Sequence, residues 1–287
     1  MTLLETIQAR LRRLSPVNRA LAQQVLNDPD SFLNQTTSQI AHASGVSDAS
    51  VIRFVRLFGF ADLRSFKLTL AREEDQFIPD TPLDPLVQDE DDLSTMMHKL
   101  SQTTTEAVND LLNELDQAAL KEAIKILRHA NRIYLAGVSA SALAAQDLYQ
   151  KLIRAGKLAI FDRDTHTALE RAYYMTADDV LIAFSYGGFT KEVVLMAQQA
   201  RKNGAPVIVV TRKSSNPLRE TASCVITLPP TESLLRIGAI TSLFGETYVA
   251  NILFLGTVQG SLNKMEQNYR ATTQLTNKLK LKGNKDK

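Results

Sequence analysis

From residue 130 onward, short apolar runs rich in β-branched residues recur between amphipathic stretches: RIYLA, LAIF, VLIAF, PVIVV and CVITL. Runs this short suit strands, and their alternation with helical patterns predicts a parallel sheet covered on both faces, a doubly wound α/β domain. Two helical stretches precede it, Leu93 to about Asn113 and Asp116 to Ala130. Ahead of these, EEDQFIPDTPLDPLVQDEDD carries Pro79, Pro82 and Pro85, many acids and little periodicity, the marks of a solvated linker. Everything before it reads as helix. The pattern divides the chain into an all-α segment over 1–75, a linker over 76–92, an α/β domain over 93–280 and a lysine-rich tail over 281–287 that frays into solvent.

The all-α segment holds the sharpest local pattern, QTTSQIAHASGVSDASVIRFVRLFGF. Thr36 or Thr37 can cap a helix ending at Ala43, Gly45 can take a left-handed turn, and Ser47 can cap a second helix running to Phe58. Ala41, Gly45 and Val51 stand four and six residues apart. That is the spacing of a helix-turn-helix: a small residue where the helices cross, glycine in the turn, an apolar anchor in the second helix. In that motif the second helix enters the major groove. This places Ser47, Ala49, Ser50 and Arg53 toward bases, and Arg56, Arg64 and Lys67 toward phosphates. A small helical bundle without nucleic acid shares the spacing, and charge separates the two readings. From Arg10 to Arg72 nine basic residues face four acids, whereas the whole chain has a formal net charge of only +2. The basic character is local, as a face for double-stranded DNA requires.

One cysteine, Cys224, excludes an intramolecular disulfide framework and fits a reducing compartment. The first residues lack the apolar core of a signal peptide, and no stretch reaches the ~18 apolar residues of a membrane-spanning helix. A cytoplasmic protein without a membrane partner is expected. His42, His98 and His129 are scattered, and no metal site is expected.

Two loops of the α/β domain follow strands and precede helices: AGVSASAL, with Gly137, Ser139 and Ser141, and AFSYGGFTKE, with Ser185, Gly187, Gly188 and Thr190. In a parallel sheet both lie at the carboxyl edge, where ligands bind. Glycine lets a backbone approach, hydroxyls donate, and helix amides with their partial positive charge hold an anion. Neutral donors of this kind suit a small phosphomonoester. Nucleotide loops fit poorly: Ser139 and Ala142 stand where a dinucleotide fingerprint wants glycine, and Lys191 after Thr190 lacks the hydroxyl neighbour of a P-loop. No cofactor is implied. The plainer alternative is that these serines only cap helices.

LAGVSASALAAQDLYQKL, IAFSYGGFTKEVVLMAQQARKNGAPVIVVT and SNPL resemble a SIS (sugar isomerase) domain, the phosphosugar-binding module. ASGVSDASVIRFVRLFGF and the order of the domains resemble the RpiR family of bacterial transcriptional regulators. The resemblance implies an all-α helix-turn-helix domain followed by an α/β doubly wound SIS domain, with Ser141, Ser185 and Thr190 holding phosphate and Ser139 and Gly188 completing the loops. Gly187 replaces the second serine of the usual Ser-Tyr-Ser-Gly, and Ser139 the second glycine of Gly-x-Gly-x-Ser.

His166, beside Asp164 after the run LAIF, can reach sugar hydroxyls or lie on a helix surface. Glu232 and Arg236 precede a long apolar helix; Arg236 can meet ligand or form a surface ion pair. The function expected is a regulator, a repressor released by a sugar phosphate, acting on sugar or amino-sugar catabolism genes. The competing class is a phosphosugar isomerase or lyase, which needs a placed base. A homodimer or homotetramer on a palindromic operator is expected, because one helix-turn-helix makes few base contacts. The apolar excess of ITSLFGETYVANILFLGTVQG points to the subunit interface.

Overall fold

A computed structural model of the chain describes residues 3–27, 29–74, 86–230 and 238–279. The linker prolines, the stretch carrying Glu232 and Arg236, and the tail from 280 lie outside the described residues.

In the front domain α1 (Leu3–Arg10), α2 (Pro16–Asn27), α3 (Pro29–Asn34), α4 (Thr37–Ala43), α5 (Asp48–Leu57) and α6 (Leu63–Glu74) enclose one apolar core. Leu4, Ile7, Leu21, Val25, Phe32, Ile40, Val51, Phe54, Phe66 and Leu70 are wholly buried in it. The ring of Phe66 lies 5.9 Å from Phe32, 5.9 Å from Phe54 and 5.2 Å from Phe60, so α6 is locked onto α3 and α5 by tilted aromatic contacts.

The rear domain opens with α7 (Leu93–Glu114) and α8 (Gln117–His129) and then alternates: β1 (Ile133–Ala136), α9 (Ala140–Arg154), β2 (Ala159–Phe161), α10 (Thr165–Tyr173), β3 (Val180–Phe184), α11 (Lys191–Lys202), β4 (Val207–Arg212), β5 (Cys224–Leu228), α12 (Thr241–Val258) and α13 (Leu262–Asn277). The five strands pair in parallel in the order β2-β1-β3-β4-β5. Successive strand residues face opposite layers. Ile133, Leu135, Ile182 and Phe184 join the core shared with α8, α9 and α12, while Tyr134, Ala136, Leu181 and Ala183 join that shared with α10 and α11. Both faces are covered, which is why β1, β2 and β3 read as unbroken apolar runs, whereas β4 ends in the buried Thr211 and Arg212 and the edge strand β5 carries Thr227.

Much of the apolar surface of α12 is buried within the chain, while Phe244 and Leu255 stay 45% and 59% exposed. Its Val249, Ala250, Leu253 and Val258 are buried, and the helix packs against α7, α8 and α9. One open apolar surface lies on the first half of α7, where Leu93 is 71% and Met97 64% exposed. Met97 and Leu100 line a groove with Phe244.

Beneath the opposite edge of the sheet, Asp179 is buried and fully engaged. It accepts from Arg132 Nε at 2.8 Å and Nη2 at 2.6 Å, and from Thr176 N at 2.8 Å and Oγ1 at 3.0 Å. Burial pushes its pKa up, but these hydrogen bonds outweigh burial and hold it below the usual carboxylate value. A folded-state pKa below the unfolded one contributes stability at neutral pH that is lost as pH falls through the folded value. Asp179→Asn is therefore expected to cost about 1–3 kcal/mol near pH 7 and to flatten the acid limb of Tm against pH. Parallel acid limbs for the two proteins would remove Asp179 from this role.

Candidate functional site

In the front domain the local chemistry fixes the two-helix unit. Thr36 Oγ1 accepts from Gln39 N at 3.3 Å while Gln39 Oε1 accepts from Thr36 N at 2.8 Å, a reciprocal cap that starts α4. The turn passes through Gly45 at φ 65°, with Val46 N donating to Ala41 O at 2.9 Å. Ser47 Oγ caps α5 by accepting from Ser50 N at 3.3 Å, and Ser38 Oγ donates to Asp48 Oδ2 at 2.6 Å, tying the two helices together. Ser47, Ala49, Arg53 and Arg56 are exposed on one side of this unit. Arg53 is steadied over the first turn by Nε to Ala49 O at 3.3 Å.

Three of the residues assigned to DNA stand otherwise than the spacing suggests. Ser50 is 8% exposed, its hydroxyl 2.9 Å from that of Ser47, because it adjoins Val51 on the inward arc of α5. Lys67 turns inward, Nζ donating to Leu33 O at 2.9 Å and to Gln35 O beyond the end of α3, and burial pulls its pKa down. Arg64 is exposed but pairs across to the rear domain, Nη2 3.0 Å from Glu220 Oε1.

At the carboxyl edge of the sheet, β1 and β3 are neighbours, and the chain leaves β1 for β2 on one side and continues from β3 on the other. This is the switch point where such folds open a crevice. The two loops leave from register partners, Ala136 and Ala183. Gly137 is required by close approach: a Cβ there would lie 2.6 Å from Ser141 O. Ser139 follows at φ 55°, ψ −124°, a backbone region that side chains disfavour. Ser139→Gly is expected to stabilise the domain by about 1 kcal/mol, read from the urea midpoint at constant m-value. A midpoint that failed to rise would argue against strain.

The helices that follow start without a side-chain cap, although Ala142 N of α9 donates to Ser139 O at 3.1 Å. Side chains of Thr36, Ser47, Asp92, Asp116 and Asp164 cap α4, α5, α7, α8 and α10, whereas Ser139 and Thr190, which also carry hydroxyls, do not cap α9 and α11. Instead Thr190 Oγ1 lies 3.1 Å from Ser185 Oγ, and Ser185 Oγ accepts from Gly188 N at 3.1 Å. Ser141 Oγ donates to Glu246 Oε1 at 2.8 Å. Ser185, Thr190 and the Gly188 amide therefore sit together beyond β3, and the loop of Ser141 leaves the paired strand β1, an arrangement suited to an oxyanion. His166 stands apart, exposed at the start of α10 beyond β2.

The helix-turn-helix domain of the rpiR family matches residues 1–76, and the SIS domain matches residues 126–255. Over 276 residues the chain is 30% identical to the HTH-type transcriptional regulator YfhH of Escherichia coli K12, covering 95% of this chain and 98% of that one. The chain belongs to the RpiR family of transcriptional regulators. A solved structure of the Vibrio vulnificus NanR protein complexed with ManNAc-6P is 25% identical, with a TM-score of 0.69, and spans 98% of this chain and 100% of that chain. The sugar isomerase domain of an RpiR transcription factor from Sphaerobacter thermophilus shares the rear fold, at 20% identity, TM-score 0.54 and 61% of this chain against 97% of that one.

Two residues of this RpiR regulator's cradle escaped the sequence reading. Glu246 is 1% exposed under Ser141, and it is the only charged residue in the 18 of α12, a signal that was there to be read. Asn216 is buried against Gly188. Its Nδ2 donates to Thr211 Oγ1 at 3.2 Å, and its Oδ1 accepts from Arg219 N at 2.9 Å. Its signal was weaker, an Asn-Pro pair shortly after a strand.

Proposed function

We propose that this regulator is a cytoplasmic repressor of sugar or amino-sugar catabolism genes, released from its operator by a sugar phosphate and without catalytic turnover. Residues 1–75 bind DNA, 93–280 hold the effector, and 76–92 join them. The observation that carries this reading is the pair of uncapped helices, α9 and α11, meeting the hydroxyls of Ser141, Ser185 and Thr190 at the switch point. The kinship with NanR, whose structure holds ManNAc-6P, supports a phosphorylated amino sugar as the effector class. In this reading Ser139 and Gly188 shape the cradle and Glu232 and Arg236 reach the sugar, whereas His166, exposed on α10 beyond β2, is left out of it.

The regulator acts as a homodimer or larger on a palindromic operator, with the exposed apolar face of α7 as the surface that pairs. Among the described residues no helix is long and apolar enough to cross a membrane, which accords with a cytoplasmic site of action.

The test is operator affinity with and without N-acetylmannosamine 6-phosphate. Release by the phosphate ester and none by the free sugar is expected, and Arg53→Ala is expected to cost about 1–3 kcal/mol in operator binding and to relax base preference. Turnover of the ester at an ordinary enzymatic rate, or an operator indifferent to every sugar phosphate, would overturn the reading.

A further inference from the structure

The effector loop carries one large apolar side chain, Phe189, between Gly188 and Thr190. It does not join either core of the rear domain. It is half-buried and packs against the hydrophobic cluster of the front domain, the cluster built on Leu4, Phe54 and Phe66. A second contact joins the same two bodies, the ion pair of Arg64 on α6 with Glu220. Both contacts spring from one rigid patch. Asn216 fills the space over Gly188 and holds Arg219 N through its Oδ1, and Gly188 O accepts from Leu218 N at 3.2 Å. Phe189 and Glu220 are thus the two ends of a short, hydrogen-bonded unit whose middle is the proposed phosphate cradle.

We propose that the effector loop is itself the dock for the DNA-binding domain, so that sugar phosphate controls the operator through Phe189 and the Arg64–Glu220 pair. This deepens, and rests on, the effector reading above. An oxyanion drawing on Ser185 Oγ and Thr190 Oγ1 braces the 185–190 turn from within, and Phe189 lies in that turn. The braced turn holds the front domain in its docked position. There Arg64, a cation suited to a DNA phosphate, is spent on Glu220. Effector binding therefore favours the docked arrangement and lowers operator affinity; operator binding favours its release. The exposed ion pair adds little on its own, and the apolar contact dominates.

The chain contains no tryptophan, so Phe189→Trp in the full-length protein places a single indole at the dock. Its emission is expected to be blue-shifted and shielded from iodide, to move red on addition of operator DNA, and to return on addition of N-acetylmannosamine 6-phosphate. An indole that ignores operator DNA overturns the dock, whatever the effector does. Phe189→Ala is expected to show less than about twofold dependence of operator affinity on the same ester, against the ~5–150-fold typical of a coupled pair in the native protein, and, because coupling is reciprocal, to bind the ester itself more weakly by calorimetry by that same factor. Glu220→Gln should tighten operator binding slightly and weaken ester binding by no more than a similar small factor. Native coupling in Phe189→Ala overturns the proposal. Failure of the native protein to bind any sugar phosphate instead defeats the effector reading, and leaves the dock to be judged by the indole and the operator alone.

Discussion

Gly188→Ala is expected to remove the response to sugar phosphate and to destabilise the rear domain by about 2–4 kcal/mol. The residue sits at φ +77°, where a side chain is strained by roughly 1–2 kcal/mol. An added Cβ would also fall 2.1 Å from Asn216 Cγ and 2.6 Å from its Nδ2. Asn216 is buried and cannot swing aside without losing its bonds to Thr211, Ser214 and the Arg219 amide, each worth about 1 kcal/mol. Relief by moving the loop instead displaces the amide that meets Ser185 Oγ. Chemical denaturation measures the first effect and calorimetric titration with the ester the second. A variant of native stability that still bound ester would show that the turn tolerates a side chain, and the account of Asn216 would fail.

The double variant Ser141→Ala, Thr190→Val is expected to abolish a micromolar effector response while leaving operator binding intact. Each hydroxyl lost is worth about 1 kcal/mol or somewhat more toward a charged acceptor, so two remove ten- to a hundredfold or beyond in affinity. Neither residue belongs to the front domain, and Ser141 donates to Glu246 rather than to any backbone group. A melting-temperature shift with saturating ester, present in the native protein and missing in the variant while the operator dissociation constant holds, is the decisive pattern. A full response in the variant would move the phosphate site away from these loops.

The five strands were legible because a parallel strand buried on both faces has no room for a polar alternate residue, and VLIAF and PVIVV show none. The helix-turn-helix was legible from caps and a turn glycine, which are local. What sequence concealed is set by partners far along the chain. Nothing around Lys67 announces that the carbonyls of Leu33 and Gln35 will claim it, 34 and 32 residues away, and Arg64 meets Glu220 across 156 residues. The apolar excess of α12 signalled burial, and α7, α8 and α9 of the same chain supply much of it, while Phe244 and Leu255 stay exposed on the helix. The proposed cradle was legible only through its hydroxyls, while Asn216 and Glu246 were missed because their hydrogen bonds run to Thr211, Arg219 and Ser141, which local sequence does not announce.

The inward turn of Lys67 has a consequence for the thermodynamics of the operator complex. Each phosphate neutralised on duplex DNA expels condensed counterions, and affinity falls with salt as about 0.9 powers per phosphate contact. Of the nine cations between Arg10 and Arg72, Lys67 is engaged with carbonyls, Arg19 spans the carbonyls of Leu11, Arg12 and Leu14, and Arg64 faces Glu220. Six of the nine remain, joined by Arg64 where the dock releases it, so the salt dependence of operator binding is expected to reflect about six or seven phosphate contacts per chain at most, and Lys67→Ala is expected to leave that slope unchanged.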